Sequence, residues 1–145
     1  MRELPRQLSS EELGELFEGR TALVERLAEI DDPLGQAERV LARLSDEEKT
    51  EALAAHPAIG ARRLSPRSAA EQGVGADPAI LSELAYLNQV YEEKFGFRFV
   101  VFVAGRPKRE ILKVLSERIG NTREEELDTG CQELVAIARD RWTRT

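Results

Sequence analysis

Phe97-Arg98-Phe99-Val100-Val101-Phe102-Val103 is the stretch on which the fold turns. Its β-branched and aromatic side chains are those of an extended strand. A strand needs a neighbour, and no second segment of equal strength occurs in the chain. The composition therefore predicts one isolated extended segment, near 97–103, in an otherwise helical protein. Its backbone N–H and C=O groups then need other partners, such as loops, water or a ligand.

Outward from that segment the apolar spacing is helical. Before it, Ile80, Leu84, Leu87, Tyr91 and Phe95 form one row, opened by Asp77-Pro78 and closed by Gly96. After it, Gly105 and Pro107 lead into a helix carrying Ile111, Leu112, Leu115 and Ile119. A last helix runs from about Arg123 to Trp142. Toward the N-terminus, Ser9 with Glu12 and Ser45 with Glu48 are capping boxes. The first opens a short helix ending near Phe17-Glu18-Gly19, and the second a helix running to Ala55. Between them Leu23, Leu27 and Ile30 share one helical face that stops at Asp31-Asp32-Pro33, and Leu34, Ala37, Leu41 and Leu44 share another. Ser65-Pro66 predicts a short helix through Glu71-Gln72, closed by Gly73 and Gly75. The expectation is an all-α, single-domain helical bundle of about seven to eight helices over residues 1–145, with one short extended segment.

Net charge is −6, from 27 acidic and 21 basic residues, which disfavours nucleic acid and anionic membrane as partners. With one histidine and one cysteine, no His/Cys metal site is available. The charged N-terminus is not a signal peptide, and the longest apolar run, near Phe99 to Ala104, is too short to span a bilayer. A cytoplasmic protein is the expectation.

A few residues break the apolar pattern. His56, the sole histidine, lies in Ala55-His56-Pro57, where the proline pushes it off helical angles and onto a turn. It is the one side chain whose ordinary pKa suits proton transfer near pH 7. The plainer reading is a loop histidine bonded to a backbone carbonyl. Leu127, Cys131, Leu134, Ala138 and Arg141 share one row of the last helix. From the row alone, Arg141 is read as lying past the core and snorkelling to water; the alternative is a buried guanidinium paired with an anion. Arg118, in a row with Ile111 and Leu115, shares that ambiguity. Cys131 reads as a small core residue rather than a nucleophile, Glu71 as a solvated carboxylate, and Glu124-Glu125-Glu126 as a solvated face favouring the helix dipole. Gly73-Val74-Gly75 lacks the surroundings of a phosphate loop.

Three separated segments agree with one family. His56-Pro57 with Gly60, then Ser68-Ala69-Ala70-Glu71-Gln72, then Leu87-Asn88, Tyr91 and Lys94-Phe95-Gly96-Phe97 running into Phe99-Val100, occur in that family's order. Glu110-Ile111-Leu112, Arg118, Asn121, Glu126-Leu127 and Arg141 continue it. The chain resembles the OHCU decarboxylases, which act on 2-oxo-4-hydroxy-4-carboxy-5-ureidoimidazoline in urate breakdown. The resemblance implies an all-α, cofactor-free and usually homodimeric enzyme. It puts the catalytic histidine at His56, beside Pro57, and a second acid/base group at Glu71. It puts substrate-facing residues at Ser68, Ala69, Ala70 and Gln72, ligand-contacting backbone at Phe99, Val100, Val101, Phe102 and Val103, and a substrate-binding arginine at Arg141. Departures are Arg98 where many members have proline, Ala58-Ile59 after His-Pro, and Thr122 after Asn121.

The substrate implied carries a carboxylate and a hydroxyl on one ring carbon, beside a C=N bond. Loss of CO2 leaves an electron pair that the imine accepts, so no metal, pyridoxal or thiamine is called for. A rival reading is a non-enzymatic helical binding module that presents Phe97–Val103 as a partner surface, which predicts a large exposed apolar patch there. An enzyme of the same fold acting on another ureide keeps the site and changes the substrate.

Overall fold

Serine, threonine and aspartate side chains start most of the helices. In a computed structural model, which describes residues 3–58 and 77–144, α1 spans Ser10–Leu16 and α4 spans Asp46–Ala54. Both open on the expected capping boxes, with the Ser9 and Ser45 hydroxyls accepting from the Glu12 and Glu48 amides. Between them, α2 (Ala22–Leu27) is capped by Thr21, and α3 (Pro33–Arg43) begins with proline in its first turn. The later helices are α5 (Pro78–Phe95), α6 (Lys108–Arg118) and α7 (Arg123–Thr143). The α5 helix ends on Gly96 at φ 79°, the left-handed cap that glycine adopts without strain. A third capping box, Thr122 with Glu125, opens α7.

Two boundaries differ from expectation. The α2 helix stops at Leu27, so Ile30 packs from the turn that follows. The α3 helix stops at Arg43, and Leu44 reaches the core from the cap position. The predicted short helix around Ser65 to Gly75 lies outside the described residues.

The α7 helix is the central element. It packs against α1, α3 and α4, while α5 and α6 pair with one another. Gly130 permits the α4 approach, since a Cβ there would stand 3.2 Å from Leu53 Cδ2. Leu13, Leu23, Leu27, Leu34, Leu53, Leu84, Tyr91, Phe99, Leu115 and Leu134 are the large side chains at its heart. Burying each stabilises the fold by about 1.5–3 kcal/mol before conformational entropy is counted.

Residues 97–103 form neither helix nor strand, and no strand occurs among the described residues. Phe97, Phe99, Val100, Val101 and Val103 are all buried. No exposed apolar patch exists there, so the partner-surface reading of this segment fails. Arginines answer part of its backbone demand. Arg118 Nη1 donates to the Val100 carbonyl at 2.8 Å, and Arg106 Nη2 to that of Phe102 at 2.6 Å. Arg106 Nε donates to Val103 O at 3.1 Å. The Phe102 N–H donates to Glu133 at 3.3 Å. These charged side chains do what a neighbouring strand does in a sheet.

Candidate active site

The two arginines that break the apolar rows are both buried and both paired, so the snorkelling reading of Arg141 is wrong. Its side chain is only 1 % exposed. Arg141 Nη1 lies 3.1 Å from Glu18 Oε1 and donates to the Leu16 carbonyl at 3.0 Å. A charge left unpaired at such a depth is strongly destabilising, and the end of α1 supplies the partner.

That partner is held in an uncommon way. Leu16 ends α1, Phe17 is the cap, and Glu18 follows at φ 65°, in the left-handed region. The Gly19 N–H bonds back to Gly14 O at 2.9 Å, closing the helix end at a position that glycine usually fills. A side chain there costs on the order of 1 kcal/mol. The carboxylate accounts for its presence, because the strained backbone aims it at Arg141.

His56 sits two residues past the end of α4, on the turn that Pro57 enforces. It is buried at 6 % exposure, and its N–H bonds to Leu53 O at 3.2 Å. Its Nδ1 has no hydrogen-bond partner among the described residues. Burial pushes the imidazole pKa down to about 4. The positive charge of Arg141 pushes the same way, Glu18 opposes it, and Arg98 adds a smaller push downward. The ring is therefore neutral at pH 7, able to accept a proton and poor at keeping one. His56, Arg141 and Glu18 thus form one electrostatic group drawn from the ends of α4, α7 and α1.

Pro57 is half-buried beside His56. Ser68, Ala69, Ala70, Glu71 and Gln72 lie outside the described residues, as does the Gly73–Gly75 pair. The Phe99–Val103 backbone runs through the core, with part of its hydrogen bonding taken up by Arg118, Arg106 and Glu133. No cluster of metal-ligating side chains occurs among the described residues. No helix there is long and apolar enough to cross a membrane.

Arg118 belongs to a different network. Its Nε donates to Glu126 Oε1 at 2.7 Å. The same oxygen accepts from the Tyr91 hydroxyl at 2.6 Å, and Oε2 accepts from Asn121 at 2.8 Å. The guanidinium lies 4.6 Å from the centre of the Phe99 ring. Glu126 is completely buried, which corrects the reading of Glu124-Glu125-Glu126 as a solvated face; only the first two are exposed. Burial and the bond to Glu126 raise the Tyr91 pKa well above the ordinary phenol range, so it stays a donor. Cys131 is buried on its row, and desolvation lifts its thiol to about 11, which rules against a thiolate nucleophile.

Sequence reasoning missed Glu18 altogether. A carboxylate one residue before glycine at a helix end reads as a solvated cap, and its partner lies more than a hundred residues away. Arg98 registered only as a departure from a family pattern. In the structure it donates to two carbonyls at the end of α4.

An all-α fold that buries a histidine and a paired arginine defines a class of helical protein with titratable and charged groups inside its core. Its family is more specific: residues 2–143 match the model of OHCU decarboxylase, and the chain belongs to that family. A uric acid degradation bifunctional protein of Bacillus sp. (strain TB-90) is 31% identical over 138 residues, covering 87% of this chain and 27% of that protein. The 2-oxo-4-hydroxy-4-carboxy-5-ureidoimidazoline decarboxylase of Haloferax volcanii is 29% identical over 137 residues, covering 86% and 81%. The chain thus spans under a third of the bifunctional relative and most of the archaeal one. In fold it matches a crystal structure of OHCU decarboxylase in the presence of (S)-allantoin, with a TM-score of 0.77 at 24% identity over 92% of this chain and 96% of that one.

Proposed function

We propose that this chain decarboxylates 2-oxo-4-hydroxy-4-carboxy-5-ureidoimidazoline to (S)-allantoin, as a carboxy-lyase of urate breakdown. The observation that carries the reading is His56: a buried imidazole, neutral at physiological pH, beside Arg141 in a chain of this family. In the reaction the bond from the ring carbon to the carboxylate breaks and CO2 departs. Its electron pair enters the adjacent C=N, whose nitrogen takes a proton. The hydroxyl on the former carboxylate carbon then gives up its proton to become a carbonyl, and a proton is added to the neighbouring ring carbon. His56 is assigned the proton transfers, with burial keeping its ring in the base form at pH 7.

Arg141 is assigned the substrate carboxylate, which a guanidinium binds as a planar fork. Glu18 and the Leu16 carbonyl hold it from the protein side. Glu71 is assigned the second acid/base or orienting role. Pro57, Ser68, Ala69, Ala70, Gln72 and the Phe99–Val103 backbone are assigned substrate contacts. The family resemblance supports these assignments, as it does a homodimer without cofactor; sedimentation checks the oligomeric state.

The test is circular dichroism of freshly oxidised urate mixtures, with and without the protein. Accelerated appearance of one allantoin enantiomer is the expected result. An unchanged, racemising decay removes the proposal.

A further inference from the structure

We propose that Arg98 is a positioning residue for His56, fixing the histidine turn through hydrogen bonds to the carbonyls on either side of it. The inference rests on the reading of His56 as the proton-transfer group.

The end of α4 poses a problem that its own sequence leaves open. Its last turn carries no basic residue, and its cap is Ala55 in helical geometry rather than a glycine in the left-handed region. Glu51 O and Leu53 O accept from the Ala55 and His56 N–H groups, but a helix end leaves later carbonyls such as that of Ala54 in need of a donor. Arg98 supplies that donor from 44 residues away along the chain, and reaches the His56 carbonyl as well. Its Nη1 donates to Ala54 O at 3.0 Å and to His56 O at 2.6 Å. Its Nε reaches Glu92 Oε1 at 3.4 Å, which steadies the guanidinium from α5. The His56 N–H is tied to Leu53 O. His56 is thus held at both backbone ends, with the proline after it limiting its ψ angle. An imidazole on so constrained a turn has little freedom beyond its own two torsions.

Arg98 is flanked by Phe97 and Phe99, both buried. The guanidinium is therefore mounted on backbone anchored in the core, and it connects that core to the turn. A catalytic group gains from such mounting because a displacement of about 1 Å can cost roughly a hundredfold in rate. The charged groups acting on the imidazole come from three elements: Arg141 from α7, Glu18 from the end of α1, and Arg98 from the buried segment. Arg98 joins Arg141 in disfavouring the protonated ring.

Two variants and two readouts test this. Arg98→Met removes the donors and the charge; Arg98→Lys keeps the charge and loses the fork. As His56 is the only histidine in the chain, its imidazole NMR signals are unambiguous and can be titrated without substrate. Arg98→Met should lower kcat about tenfold or more with KM little changed. It should also raise the His56 pKa, and Arg98→Lys should restore that pKa while recovering only part of kcat. A His56 titration and a kcat in Arg98→Met that both match the parent protein overturn the proposal. So does an equal loss in both variants that follows melting temperature alone with the titration unmoved. If the parent protein proves inactive on the ureidoimidazoline, the functional reading fails, and a displaced titration in Arg98→Met still supports the positioning role.

Discussion

Arg118 and Arg141 occupy equivalent places in the sequence pattern, each a guanidinium on an apolar helical row, yet they serve different ends. Arg118 is enclosed by Glu126, the Val100 carbonyl and the face of Phe99, and its carboxylate partner is shared with Tyr91 and Asn121. These contacts tie α5, α6, α7 and the Phe97–Val103 segment together, while its buried Nη2 has no hydrogen-bond partner among the described residues. Arg141 has a partner on a strained helix end and a histidine within electrostatic reach. Buried pairs of the first kind are explained by the fold. The second kind sits beside left-handed backbone at Glu18 and a histidine whose pKa is pushed toward the neutral form, whereas the first sits beside a tyrosine whose pKa is pushed up.

The largest expected effect comes from the Arg141 side of this contrast. His56→Ala should lower kcat by about 10²–10⁴-fold, the range of general acid–base contributions, with the fold intact by circular dichroism. Decarboxylation at the parent rate would leave Arg141 as one more structural arginine. On the other side, Glu126→Ala strands the Arg118 charge and should destabilise the protein by about 3–5 kcal/mol in denaturant melts. A loss below about 1 kcal/mol would mean that the network is not what joins the helices.

Acid should act through the histidine. A buried imidazole with a pKa near 4 resists the proton that the unfolded chain takes up at about 6.5. Between those two values the unfolded state binds more protons, so stability falls as pH falls. The contribution approaches roughly 3 kcal/mol near pH 4 and vanishes above about pH 7. His56→Gln should flatten that part of the pH–stability curve, and an unaltered curve would contradict the burial argument.

Arg141→Ala should raise KM and lower kcat, together about a hundredfold in kcat/KM. Unchanged kinetics would transfer substrate binding to Arg118. The smallest effect belongs to an exposed pair. Arg123 makes two bonds to Asp46, at 2.7 and 2.9 Å, but both side chains are about half exposed. Asp46→Asn should leave the denaturation midpoint almost unchanged, with any loss most visible at low salt.

The helices were legible because their signals are local: a capping box spans four residues, and an apolar row repeats every turn. The isolation of Phe97–Val103 was legible too, from the lack of any comparable segment. The pairing of Arg141 with Glu18 was not, since the row says only that a cation faces inward, and its anion lies on α1. The burial of Glu126 was hidden by its neighbours, as three consecutive glutamates read as one solvated turn while only the third faces Tyr91. His56 could be placed on its turn from the proline alone, but its depth depends on tertiary packing.

The arginines that bond to Val100, Phe102 and Val103 occupy carbonyls that an intermolecular β-ladder would need. Phe99 to Val103 is an uncharged, β-prone run of the kind that stacks into intermolecular sheets once exposed. In the folded protein, side chains that cannot extend a ladder engage several of its backbone groups. Arg98 and Arg106 flank the run on the chain and place charge at either end, where gatekeeper residues act. Heat or acid that frees the segment should therefore yield insoluble material rather than a refoldable chain, with an inactivation temperature that depends on scan rate.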